Sequence, residues 1–158
     1  MPVELSGEHR WRGRLEGDWN YEMEAEAEPG QPPIRDSGSE TVRSLDGVWM
    51  LMEAQGTTPE GGPATAIMTL GFDPDRGRFV GTFIGSTMAH LWVYDGRRNG
   101  DVLTLDTEGP TFTGEPGMAK YRDTIAFEND DHRVQTSSYQ RADGSWHEFM
   151  TTHYHRVK

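Results

Sequence analysis

From residue 17 onward, apolar and polar side chains alternate one by one. Trp19, Tyr21, Met23, Ala25 and Ala27 are interleaved with Asn20, Glu22, Glu24, Glu26 and Glu28. A period of two marks a half-buried strand, here with a ladder of carboxylates on its wet face. Glutamates at that spacing are read as a solvated face rather than a cation site. Ahead of the strand, Ser6 is placed to cap a helix, Trp11 and Leu15 lie four apart on one helical face, and Gly17 can end it. Residues 1–16 are therefore read as a short helix.

Beyond residue 28 the alternation is cut by turn signals at short intervals. Residues 29–38 are rich in Pro and Gly and read as a loop. Strands are expected over Ser39–Leu45, Val48–Gln55, Ile67–Phe72, Arg78–Ile84, Met88–Tyr94, Val102–Thr107, Ala119–Glu128, His132–Gln140 and Trp146–Arg156. Between them fall Asp46-Gly47, the loop Gly56–Ala64, Asp73-Pro74-Asp75-Arg76-Gly77, Asn99-Gly100-Asp101, the loop Glu108–Gly117, Asn129-Asp130-Asp131 and Asp143-Gly144. About ten strands in succession with no helical pattern between them exclude a parallel sheet, which needs long crossovers. The expectation is all-β: a single antiparallel up-and-down barrel of about ten strands over residues 17–156, with the 1–16 helix closing one end. Closure removes the exposed edges that so long a meander would leave.

Composition narrows the function classes. The chain has 158 residues, 26 acidic against 15 basic, and a net charge of -11. A field of that sign repels phosphate backbones and anionic lipid, so neither nucleic acid nor membrane is expected as a partner. With no cysteine there is no disulfide, thiolate metal site, iron–sulfur cluster or Cys nucleophile. The start lacks the basic and apolar regions of a signal peptide, and no apolar run approaches the ~20 residues that span a bilayer, so a cytoplasmic protein is expected. Hydrophobic residues make up only 34%, but they include five Trp, five Tyr, six Phe and eight Met. Large side chains with 19 Gly and 9 Pro suit a β protein with many tight turns.

Three stretches carry a resemblance. Gly17-Asp18-Trp19 opens the first strand. Thr69-Leu70-Gly71-Phe72-Asp73-Pro74 leads through Arg78-Phe79-Val80-Gly81-Thr82 to His90-Leu91-Trp92-Val93-Tyr94. Lys120-Tyr121-Arg122-Asp123 and the terminal Tyr154-His155-Arg156 complete the pattern. Together they resemble the bacterial family known as domain of unknown function 1579, over roughly Leu15 to Arg156. The resemblance implies a calycin-like barrel and no particular activity. Gly17-x-Trp19 with a late Arg is also similar to the lipocalin signature, which implies that Arg156 stacks across Trp19 at the closed end.

With Trp19 inward, strand parity assigns the interior. Tyr21 and Met23 follow Trp19. If Arg156 covers Trp19, then Tyr154, Thr152, Met150, Glu148 and Trp146 face in as well. Tyr121, Ile125 and Phe127 carry Asp123 with them, and the bulky set Met88, His90, Trp92 and Tyr94 is preferred to Ala89, Leu91 and Val93 because a barrel of this size needs filling. The resulting ligand-binding set is His90, Trp92, Tyr94, Tyr121, Asp123, Trp146, Glu148 and Met150. The loops around 30–37, 56–64 and 108–117 should surround the opening. An aromatic wall with carboxylates and few cations suits a neutral or cationic, flat or hydroxylated small molecule better than a fatty acid.

The leading reading is thus a barrel that binds a small molecule and does no covalent chemistry. The alternatives are an acid–base enzyme working in the same cavity through His90 with Glu148 or Asp123, and a filled barrel acting as an interaction protein. No Gly-x-Ser-x-Gly elbow, phosphate loop or His-Glu-x-x-His motif is present, so an enzyme is the less expected reading and no catalytic residue is named. His153-x-His155 puts two imidazoles ~6.6 Å apart on one strand face, with Asp131 across the last turn, but that face is read as outward and solvated. No metal or other cofactor is expected, with a haem on His90 left open. An outward Phe149, flanked by His147 and Thr151, is the apolar spot that a homodimer would bury.

Overall fold

The computed structural model describes residues 3–112 and 115–158. A short helix, α1 (Gly7–Arg12), runs on as a single 3-10 turn to Leu15. Ten strands follow: β1 (Gly17–Ala25), β2 (Ile34–Leu45), β3 (Trp49–Thr57), β4 (Pro63–Asp73), β5 (Arg78–Gly85), β6 (Met88–Asn99), β7 (Val102–Pro110), β8 (Met118–Asn129), β9 (His132–Gln140) and β10 (Trp146–Arg156). Each pairs antiparallel with its sequence neighbours, and β10 returns to β1, so the sheet closes into a barrel. No helix among the described residues is long and apolar enough to cross a membrane.

The elements differ from the sequence reading mainly in length. β1 ends at Ala25 rather than Glu28; of the helix expected over 1–16, only Gly7–Arg12 is α-helical, residues 3–6 are not helical, and Met1 and Pro2 lie outside the described residues. The presumed loop 29–38 is half strand, because Ala25 pairs with Ile34 and Tyr21 with Gly38, so the β1 ladder recruits the chain as soon as it has turned. Gly17, at φ 129, supplies the left-handed backbone that turns the helical segment into β1.

One end of the barrel is sealed. Six helical residues are too few to be stable alone, so α1 is held by what it buries. Trp11 packs edge-on against Phe79 (6.2 Å) and Phe127 (5.4 Å), and Leu15 is fully buried. Trp19 Nε1 donates to the Leu15 carbonyl at 2.8 Å. Arg12, also fully buried, donates to the carbonyls of Leu70, Gly47 and Val48, which ties the helix to the ends of β3 and β4. Arg156 is the register partner of Trp19; its guanidinium lies 4.3 Å from the indole centroid and donates to the carbonyls of Arg14, Glu16 and Asp130. The cap implied by the lipocalin-like signature is therefore present. A second cation, Arg133, lies 4.6 Å from the Trp19 ring and 3.9 Å from Tyr154.

Arg133 is wholly buried and forms an ion pair with Glu40, whose side chain is only 6% exposed. A buried pair holds only while both members are present, because a lone buried charge is far costlier than the pair. Glu40→Leu is expected to destabilise the fold by about 3–5 kcal/mol, and Glu40→Leu with Arg133→Met by clearly less. Urea midpoints of the two variants measure this; a double variant as unstable as the single one would refute it.

Candidate functional site

Above the sealed layer of Trp19, Leu70, Phe79, Leu105 and Ile125, the inward side chains no longer meet, leaving a cavity of ≈ 400 Å³. The interior is therefore not filled. Small residues make the space: Ala54 and Ala66 face each other across β3 and β4 where larger side chains would close it. Met52, Met68, Phe83 and Met88, contributed by β3 to β6, form an apolar wall on that side.

The opposite wall is polar. Asp123 on β8 receives a 2.5 Å hydrogen bond from the Tyr94 hydroxyl on β6, and Ser137, its register partner on β9, presents a second hydroxyl donor to it. Burial pushes the Asp123 carboxyl up from the ordinary aspartate range, opposed by those two donors. Burial and the nearby Asp123 likewise raise Tyr94. Glu40 from β2 and Gln135 from β9 reach the same wall, and each is bonded to Arg133. Burial raises Glu40 while Arg133 draws it back. Tyr154 and Thr152 of β10 complete the wall. Nearer the top, the Tyr21 hydroxyl donates to Asp36 at 3.3 Å and is pushed up to about 12, chiefly by burial.

Aromatics surround the upper end. The Trp92 and Tyr121 rings meet edge-on at 5.2 Å; Phe112 lies 5.2 Å from Tyr121 and 5.8 Å from Phe149. Gly109 is required here, since a Cβ on it would fall 2.0 Å from the Trp92 ring. Up-and-down connectivity puts the turns after β1, β3 and β7 at this end, which includes the three long loops expected there.

Of the residues singled out from the sequence, Trp92, Tyr94, Tyr121, Asp123 and Met150 line the cavity. His90, Trp146 and Glu148 do not, and for these the parity argument is corrected. Phe149 is an extra residue on β10: Glu148 pairs with Ser138 and Met150 with Ser137, so the register slips by one. That bulge reverses parity for the β10 residues that precede it. Glu148 becomes exposed and bonds Thr151, and Trp146 lies outside with the Arg122 guanidinium 4.2 Å from its ring. Phe149, expected outside as a dimer spot, lines the cavity instead.

His90 shares the parity of Trp92 but fails for another reason. Ladder pairing of β6 with β7 covers only Asp95–Asn99, so the strands part above it. The His90 ring occupies this seam, 3.2 Å from the Glu108 carbonyl and 4.7 Å from the Trp92 ring. It does not project into the cavity, so neither the His90 acid–base pairs nor a haem on His90 within the cavity is assembled. Glu40, Phe112, Met52, Met68 and Phe83 were missed, whereas Met23 and Met88 were placed inward; the inward parity of β1 carried across to β2 would have found Glu40, which stands opposite Trp19.

The outer histidines form a stack rather than a chelate. His132 shares a 3.0 Å hydrogen bond with His153 and stacks on His155 at 4.5 Å. His132, not Asp131, stands opposite His155, and Asp131 pairs with Arg156 and Lys158. Among the described residues no group of three or more His, Cys, Asp or Glu could hold a metal ion.

The profile of a family described as "Protein of unknown function (DUF1579)" matches residues 4–156. No curated protein matches the chain. Among solved structures, the chain is similar to Rv2717c from M. tuberculosis, with TM-score 0.64, 14% identity, and coverage of 98% of this chain and 100% of that one. It is also similar to the S-type phycobiliprotein lyase CPES from Guillardia theta, with TM-score 0.58, 14% identity, and coverage of 98% and 94%. A third is EF1p2_mFAP2b bound to DFHBI, with TM-score 0.51, 16% identity, and coverage of 94% and 98%. At such identities the likeness shows the shared fold alone.

The raised carboxyl of Asp123 makes stability depend on pH. The folded protein holds this proton more tightly than the unfolded chain, so the stabilisation is present below the unfolded value near ~4 and is lost as pH rises through the folded value. Asp123→Asn cannot ionise. Its urea midpoint minus that of the unmodified protein should therefore increase across that interval and level off above it; a difference independent of pH between 4 and 8 would contradict the burial of this carboxyl.

Proposed function

We propose, for a chain that belongs to the DUF1579 family of proteins of unknown function, that the barrel takes up a small molecule through its aromatic-lined end and does no covalent chemistry on it. The observation that carries this reading is the ≈ 400 Å³ cavity, apolar on the β3–β5 side and polar at Asp123, Glu40 and Tyr154. Ligand sites are concave and mostly apolar, with a few placed polar groups that fix orientation. A chain that needed only a stable barrel would fill this space, since close packing is the more stable arrangement. The likeness of fold to EF1p2_mFAP2b, which is bound to DFHBI, is consistent with a barrel of this kind enclosing a small molecule.

The set offered as lining the site is Trp92, Tyr94, Tyr121, Asp123 and Met150 from the sequence reading, joined by Glu40, Phe112 and Phe149. Trp92, Phe112, Tyr121 and Phe149 would stack on a flat ligand near the entrance. Below them, the carboxyl-bearing wall would take its polar end. Charge argues against nucleic acid and anionic membrane as partners, and a cytoplasmic setting fits a chain without cysteine.

Native mass spectrometry of protein purified from its source tests the reading directly, with a non-covalent adduct as the expected result. Ala54→Trp, which fills the cavity from the β3 side, should keep a folded barrel by circular dichroism and lose the adduct. A protein that carries no adduct and quenches no tryptophan fluorescence against a broad metabolite panel would overturn the proposal.

A further inference from the structure

Three carboxyl groups, Asp36, Glu40 and Asp123, line the cavity, and among the described residues no Lys, Arg or His does. They differ in how each charge is balanced. Glu40 is paired with Arg133, which lies behind it and is fully buried. Asp36 lies toward the upper end, held by Tyr21 and Thr57. Asp123 has no cation partner among the described residues. It is held only by Tyr94 and Ser137, two neutral donors on the strands facing it. The other titratable group that reaches it is Tyr154 from β10, which also feels the Glu40–Arg133 pair from β2 and β9 and Tyr21 from β1. Its register partner on β7, Leu105, brings no charge. The molecule therefore contains a buried carboxyl turned toward an apolar chamber, kept protonated by burial and with no cation beside it among the described residues.

We infer that the ligand of this cavity is an apolar or aromatic amine, whose nitrogen is held as an ammonium by Asp123 with Tyr94 and Ser137 bracing the carboxylate. This rests on the cavity being a binding site and names the class of molecule it takes. The proton balance is internal. A neutral amine entering the chamber takes the carboxyl proton, an N–H bond forming as the O–H bond breaks, which leaves an ion pair shielded from water. The two neutral donors then stabilise the carboxylate they already contact. The body of the amine lies against Met52, Met68 and Phe83 on the apolar side, with Trp92 and Tyr121 above it. A carboxylate ligand would meet three acidic groups and no accessible cation. An alcohol could exchange hydrogen bonds with Asp123 but is too weak a base to take its proton and form the ion pair.

The test is a matched series on one scaffold at pH 7: 2-naphthylmethylamine, 2-naphthalenemethanol and 2-naphthoic acid, followed by calorimetry and tryptophan fluorescence. The amine is expected to bind at least ~10-fold more tightly than the alcohol, as a charge-assisted hydrogen bond implies, and the acid to bind weakest. In Asp123→Asn the amine should lose that advantage while the alcohol keeps its affinity. Glu40→Gln, whose carboxyl is already balanced by Arg133, should lower the amine's advantage less. The alcohol or the acid binding tightest, or an amine preference unchanged in Asp123→Asn, would overturn the amine assignment and leave the cavity a binding site for another class. Failure of all three compounds to bind, together with no adduct in native mass spectrometry, would overturn the binding reading itself. The series on the unmodified protein decides the class even if a variant does not fold.

Discussion

The pairing of β1 with β10 is the constraint on which the rest of the molecule depends. It sets Trp19 opposite Arg156 and Tyr21 opposite Tyr154, and it leaves no open sheet edge. Because Trp19 is at once a strand residue, the acceptor face for two arginines and the donor to the Leu15 carbonyl, one indole links closure of the sheet to docking of the helical cap. The seal is made of cations on an aromatic face and of arginine donors on backbone carbonyls. Both are directional, so they fix where the cap sits as well as whether it binds.

With one end sealed in this way, the residues above it are free of a packing role. The barrel narrows its inventory from large rings at the base to alanines and methionines on the β3–β4 side, and the cavity follows from that choice of volumes. Polar groups are not scattered around it. They gather on β2, β8, β9 and β10, where Arg133 balances Glu40 and two neutral donors hold Asp123. The asymmetry between those two carboxyls, one with a buried counter-charge and one without, is the chemical feature that distinguishes this interior from a merely underpacked one.

Much of the fold was legible in the chain. Turn residues recur between alternating runs, and the absence of helical periodicity between strands leaves only meandering antiparallel solutions. The site was legible in part. Tyr94, Tyr121 and Asp123 could be placed because β8 and the middle of β6 are regular, so parity read from their apolar residues holds. Trp146 and Glu148 could not, because one inserted residue at Phe149 reverses every side chain on the far side of it. His90 was misplaced for a different cause: its strand keeps parity, but β6 and β7 separate there and the ring fills the seam.

The sequence by itself determined the strand count, the antiparallel order, the capping helix and the excess of carboxylates, since these follow from local periodicity, turn chemistry and charge. Tertiary structure alone decided which carboxyls became partners. Glu40 and Arg133 stand 93 residues apart and Tyr94 and Asp123 stand 29 apart. Their meeting depends on the register of closure and on where one strand bulges. Neither has a local signature, because a bulge costs little by itself and is fixed by how well the whole ring of side chains packs around it.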